Sequence, residues 1–187
     1  PNGKKIKVHS SIQQQDGELL AKIIRKLKPK TCLEVGLGYG ISTLFILEEL
    51  SKMKDSKLIG IDGFQFETGF NKITQGHGWD GVGVHNVKSA GYGSIYKLYN
   101  SISQDILPQL KRKGLRIDFA NVDGGGKFDE LMVDFFYINE MLKVGGVIVF
   151  NCYQRSVVKV CDFIIKNRFY KPVCNKKDLL RNKIKLF

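Results

Sequence analysis

The stretch LEVGLGYGIST (33–43) sets Glu34 ahead of three alternating glycines, Gly36, Gly38 and Gly40, and then the hydroxyl pair Ser42 and Thr43. Glycines let a chain turn sharply and bring its backbone close to a ligand. The dinucleotide fingerprint G-x-G-x-x-G would need its third glycine at position 41, where Ile41 stands, so a pyrophosphate cofactor fits poorly. A carboxylate at Glu34 would also repel a pyrophosphate, yet it would attract an ammonium group. Free N–H groups at a helix start near Ser42 suit a carboxylate. A ligand carrying both amine and carboxylate, such as the methionine part of S-adenosylmethionine, meets these demands together.

Other residues extend the same reading. Asp62 follows Gly40 by 22 positions at the end of an apolar run, where an acid would accept hydrogen bonds from ribose hydroxyls. Its bland alternative is a turn or capping aspartate. In NSISQD, Ser103 and Gln104 could meet an adenine edge, although by themselves these residue types say little. Asp123 closes RIDFANVD and is the best-placed general base, with Lys127, His77 and His85 as remoter candidates. His77 sits in a glycine-rich stretch that reads either as a substrate lid or as a plain solvent loop. Trp79, the single tryptophan, either walls a substrate pocket or pins that loop.

The elements that position these residues alternate in type. Helical spacing is read at 17–27, 42–53, 102–114, 128–143 and 156–168, and strands at 31–35, 57–62, 95–100, 116–123 and 147–151. Weak strands are read at YKPVC (170–174) and KIKLF (183–187), and a loop at 63–91 closed by a helix over GVGVHNVKSAG. Gly145 and Gly146 read as the stop of the 128–143 helix. Such alternation predicts a mostly parallel sheet covered on both faces, with its ligand beyond the carboxyl ends of the strands.

The chain of 187 residues, 43% hydrophobic and 26% charged, suits one well-buried domain over 1–187. No apolar run approaches the roughly 18 residues needed to span a bilayer, and no signal peptide is read at the start. Cys32, Cys152, Cys161 and Cys174 form no CxxC pair, so the expected setting is reducing and cytoplasmic. The net charge of +12 is uneven: residues 1–30 carry +6, residues 155–187 carry +8, and the centre carries −2. Basic ends suit weak contact with a nucleic acid, or equally a solvated lysine-rich surface, because no stacking aromatics interleave the lysines.

Residues 17–172 resemble a class I S-adenosylmethionine-dependent methyltransferase of the small catechol-type O-methyltransferase-like group. The carriers are LEVGLGYGIST, IGIDGFQ, WDGVGVHN, SISQDILPQL and IDFANVDGGGKFDELMVDFFYINEMLKVGGVIVFN. The resemblance implies a Rossmann-like three-layer α/β sandwich, with a mostly parallel seven-stranded sheet whose last strand, KIKLF, is antiparallel. It implies cofactor contacts at Glu34, Gly36, Gly38, Gly40, Ser42, Asp62, Gly63, Ser103, Gln104 and Asp123, and a small-molecule methyl acceptor. The chain departs from the family where metal-dependent members hold Mg²⁺: Gly125 and Gly126 stand where a histidine follows the acid, and Asn151-Cys152 replaces DD or DN. Asp123 remains, Asn151 offers a neutral oxygen and Cys152 is a soft ligand, so a divalent metal is not expected. Three functions follow: an O-directed methyltransferase without a conventional metal site, an RNA-directed methyltransferase using the basic ends, and a catalytically silent cofactor-binding module. Base N-methylation is disfavoured, because VDGG stands where N/D-P-P-Y/F would grip an amine.

Overall fold

The computed structural model describes residues 11–71, 76–151, 155–173 and 184–186. Burial along Thr31–Val35 (β1) covers four consecutive residues, the pattern of a strand packed on both faces. Lys57–Ile61 (β2) repeats it, and Ile117–Val122 (β6) is buried at every position but Asp118. The remaining main-sheet strands are Tyr96–Tyr99 (β5), Leu142–Asn151 (β7) and Ile184–Leu186 (β8). Their order is β5-β2-β1-β6-β7-β8, parallel throughout except for the last pair, which runs antiparallel. The main sheet thus has six strands among the described residues where the resemblance implied seven. No strand forms at 170–173, and position 174 lies outside the described residues.

Helices cover both faces. Gln14–Leu27 (α1), Ile41–Leu50 (α2) and Val82–Ser89 (α3) bury Leu20, Ile24, Ile46, Leu47 and Val87 against Cys32, Leu58, Phe119 and Val149. Ser103–Arg112 (α4), Phe128–Met141 (α5) and Arg155–Asn167 (α6) bury Leu107, Phe135, Ile138, Val160 and Ile164 against Leu33, Ile61, Ala120, Ile148 and Phe150. This is the Rossmann-like α/β arrangement. No helix among the described residues is long and apolar enough to cross a membrane.

Several boundaries differ from the expected ones, and two of the differences have an identifiable local cause. α1 starts three residues early, because Gln13 and Asp16 form a capping box, with Asp16 accepting from the Gln13 backbone N–H at 3.3 Å. β7 runs five residues further back than expected. Gly145, at φ +82, lets the strand pass through a register shift between Ile117 and Phe119 of its neighbour, where the glycine pair had read as a helix stop. The 63–91 segment holds a two-residue ribbon, Phe70–Asn71 (β3) with Gly76–His77 (β4), before α3.

Candidate functional site

Strand order reverses at β1: the chain builds outward through β2 and β5, then returns to the other side of β1 with β6. The glycine turn follows β1 and Asp123 follows β6, so both lie at the switch point where ligands bind in such sheets. They touch. A Cβ on Gly36 (φ +87) would strike the Asp123 carbonyl and Gly124 Cα, and Asp123 N donates to Val35 O at 2.8 Å. Only glycine fits there.

Glu34 is fully buried beneath this turn. Its Oε1 accepts from Ser42 Oγ at 2.6 Å and Asn121 Nδ2 at 2.9 Å, and its Oε2 from Thr43 Oγ1 at 2.5 Å. The carboxylate therefore staples β1 and β6 to the start of α2. Burial raises its pKa despite those three donors. Ser42 is buried with it, while the N–H groups of residues 41–43 precede the first intrahelical bond, Leu44 N to Gly40 O at 2.9 Å.

Asp62 is nearly as enclosed. Its Oδ2 accepts from Leu37 N, Gly38 N and Gln65 Nε2, each at 3.0 Å, and its Oδ1 from Phe64 N at 2.8 Å. It holds the glycine turn in shape, and Oδ1 keeps one acceptor position. Gly63 packs against Ile102 and Ser101, which brings the β5–α4 junction to the same spot. Ser103 is buried there at the start of α4, with Gln104 half-buried beside it. The Ser103 hydroxyl is directed to Asp134 of α5.

Asp123 accepts from Asn151 Nδ2 at 3.2 Å. Burial pushes its pKa well above the usual carboxylate range, and the charges of Glu34 and Asp16 push the same way. Asn151 thus turns an N–H, rather than an oxygen, toward the acid. No group of three or more His, Cys, Asp or Glu suited to a metal occurs among the described residues. Cys152 and the His77 side chain lie outside them. Lys127 pairs with Glu130 at 3.1 Å, and His85 meets Ser89 on the exposed face of α3 at 3.3 Å.

The structure adds residues that sequence reasoning missed. Gln65, fully buried, donates to Gly38 O at 2.9 Å as well as to Asp62. Asn121 and Asp16 complete the surroundings of Glu34 and Asp123. The signal for Asn121 was available: a polar residue at an inward position of a buried strand needs a partner. Trp79 lies over the turn, its ring 3.7 Å from where a Gly38 Cβ would stand and edge-on to Tyr39 at 5.0 Å.

Residues 33–152, which span all of these groups except Asp16, match the family described as a methyltransferase domain. The chain belongs to that family. Among solved structures, this methyltransferase-family chain is similar to the O-methyltransferase TomG of Streptomyces achromogenes, involved in tomaymycin synthesis and solved with SAM, at 20% identity and TM-score 0.62. That match covers 86% of this chain and 62% of TomG. An O-methyltransferase of Bacillus cereus, solved with SAH, matches at 16% identity and TM-score 0.64, over 87% of this chain and 66% of that one. The chain therefore spans less than two thirds of the length of either, and the likeness is one of fold. No curated protein matches the chain.

Proposed function

We propose that this chain binds S-adenosylmethionine at the Gly36–Gly40 turn and methylates an oxygen of a small molecule without a conventional metal site. The observation that carries the reading is the meeting of the glycine turn, the start of α2 and Asp123 at the β1/β6 switch point. The donors fit the cofactor: the N–H groups opening α2 suit its carboxylate, and the remaining Oδ1 position of Asp62 suits a ribose hydroxyl. Ser103 and Gln104 directly follow the Ser101–Ile102 segment that packs on Gly63, and in this reading they take the adenine side. Glu34 acts from beneath, fixing the turn through Ser42 and Thr43.

Once bound, the cofactor supplies an electrophilic methyl group on its sulfonium. The protein must then orient an acceptor hydroxyl and take its proton. Asp123 suits the second task, because a carboxyl with a raised pKa is a better base than an ordinary one. Asn151, donating to Oδ2, would keep the carboxylate aligned. The metal implied by the family resemblance does not fit this donor set, which offers one carboxylate and an amide turned to donate. Phe66, Ile102 and Phe128 are exposed just after β2, β5 and β6, a rim suited to an apolar or aromatic acceptor. The oxygens of Glu34 and Asp62 are largely taken by protein donors, which equally suits a module that binds cofactor without turnover.

Calorimetric titration with S-adenosylhomocysteine, run in Mg²⁺ and in EDTA, tests the binding site. Equal affinity in both is the expected result; absence of heat in both would sink it, and heat only in Mg²⁺ would restore the metal. Methylation of a catechol probe then separates the enzyme from the silent module.

A further inference from the structure

Helix α5 turns an acid inward. Leu131, Asp134, Phe135 and Ile138 fall at i, i+3, i+4 and i+7, the spacing of a core-facing stripe, and all four are buried. Three of them are apolar and pack in the core; the fourth is a carboxylate. Asp134 accepts from the Ser103 hydroxyl, but its Oδ1 has no hydrogen-bond partner among the described residues. No ion pair forms on it among those residues, and the charge that acts on it, Glu130, is of its own sign. A carboxylate in such a place weakens the fold relative to an apolar residue or an amide. Packing therefore does not explain Asp134, and a buried acid left so poorly satisfied points to a task.

What Asp134 controls is the Ser103 hydroxyl. Ser103 opens α4, and the N–H groups of Ser103 and Gln104 precede the first bonds of that helix, from Asp105 N and Ile106 N to Ile102 O at 3.2 and 3.4 Å. A serine hydroxyl has one proton to donate and lone pairs that accept. With the proton held by Asp134, only the lone pairs are left for anything else that meets this oxygen. The start of α4 thus offers backbone donors next to a hydroxyl restricted to accepting. Adenine is the complement, since its exocyclic amine donates and the neighbouring ring nitrogen accepts. Hypoxanthine has the reverse pattern, an exocyclic oxygen that accepts and a ring N–H that donates. To serve it, Ser103 would have to turn its proton away and leave a buried carboxylate without its donor. We infer that Asp134 is a positioning residue that fixes the sense of the Ser103 hydroxyl and so selects adenine over hypoxanthine in the cofactor. The inference rests on the proposed cofactor site, with the base at the start of α4.

The test is calorimetric titration with S-adenosylhomocysteine and S-inosylhomocysteine at pH 7.5, where Asp134, with a pKa of about 6, is ionised. Wild-type protein should prefer the adenosyl compound by at least about thirtyfold, because a site built to pair one polar edge rejects the other. In Asp134→Asn the amide can present either its oxygen or its N–H to Ser103, so the hydroxyl is free to take either sense. The preference should then fall at least about fivefold, mainly through a gain in affinity for the inosyl compound. A purely structural role would weaken both ligands alike and leave the ratio unmoved. Ser103→Ala should also lower the preference, and adding Asp134→Asn to it should change the ratio no further, since Asp134 acts through the hydroxyl. Asp134→Ala repeats the test if the Asn variant does not fold. Wild-type binding of S-adenosylhomocysteine with an unchanged ratio in the Asp134 variants would overturn the inference and leave the cofactor site standing. A further fall in the double variant would overturn it too. No binding of either compound by the wild type would remove the cofactor site and the inference together.

Discussion

At the scale of single residues, the buried acids differ in how many of their oxygens find a donor. Glu34 and Asp62 have hydrogen-bond donors for most of their oxygens. Asp134 does not: it is 1% exposed, its Oδ1 has no hydrogen-bond partner among the described residues, and burial pushes its pKa up to about 6. A raised carboxyl pKa means that the folded state prefers the proton. Its stabilising effect is complete below the ordinary value near 4 and is lost as pH rises to about 6, at a cost of about 3 kcal/mol above that. Asp134→Asn, neutral at every pH and still able to accept from Ser103, should therefore be up to about 3 kcal/mol more stable than wild type at pH 7.5. The gain should shrink toward zero near pH 4, and urea unfolding midpoints at the two pH values measure it. Asp123 calls for the opposite experiment. In the proposed role of general base it must be ionised, so kcat/KM for the catechol probe should fall as pH drops through a value above the usual carboxylate range. Asp123→Asn should lower kcat at least about 100-fold while changing cofactor affinity less than about threefold. A larger loss in affinity than in turnover would make Asp123 a binding group instead.

At the scale of elements, the turn between β1 and α2 depends on a single missing side chain. Gly36→Ala would set a methyl group against the Asp123 carbonyl in a left-handed conformation, separating the ends of β1 and β6. A destabilisation of at least about 2 kcal/mol is expected, since both backbone strain and overpacking contribute. Gly91, also at positive φ but with nothing within 4 Å of its Cβ position, is the control and should lose less on substitution by Ala. Trp79 offers a second check, because the chain's one tryptophan lies over Gly38. Its fluorescence should change on adding S-adenosylhomocysteine and stay constant with adenosine-free amino acids such as methionine at equal concentration. These elements were legible to unequal degrees. The strands expected at 31–35 and 57–62 could be read as short continuous apolar runs, buried on both faces, and the helices among the described residues by their periodic apolar faces. β7 could not be read to its full length, since Gly145-Gly146 stops a helix and bulges a strand equally well. The glycine turn and its acids were legible as a set, but their division of labour was not. Whether Glu34 faces a ligand or staples the backbone depends on Ser42, Thr43 and Asn121 converging in space, and Asn121 lies 87 positions away.

At the scale of the whole molecule, the proposed site joins elements that are distant in the chain. The turn after β1, the acid after β2, the start of α4 and the acid after β6 all lie beyond the carboxyl ends of the strands of one sheet. A ligand contacting all four should bind the folded chain and have no counterpart site when it is unfolded. It would then stabilise the fold by mass action, about 2.7 kcal/mol at a concentration 100 times its Kd. For a domain of this size each kcal/mol corresponds to roughly 2–4 °C, so saturating S-adenosylhomocysteine should raise Tm by about 5–10 °C. The same rise should appear in EDTA and in Mg²⁺, because the donor set around Asp123 contributes one carboxylate and an amide that already donates to it. The Asp62→Ala variant should lose most of the rise and start from a lower Tm, since its carboxylate also holds Leu37 N and Gly38 N. A wild-type Tm that does not move with the cofactor product, or moves only when Mg²⁺ is present, would contradict the reading of these strand ends as a metal-independent cofactor site.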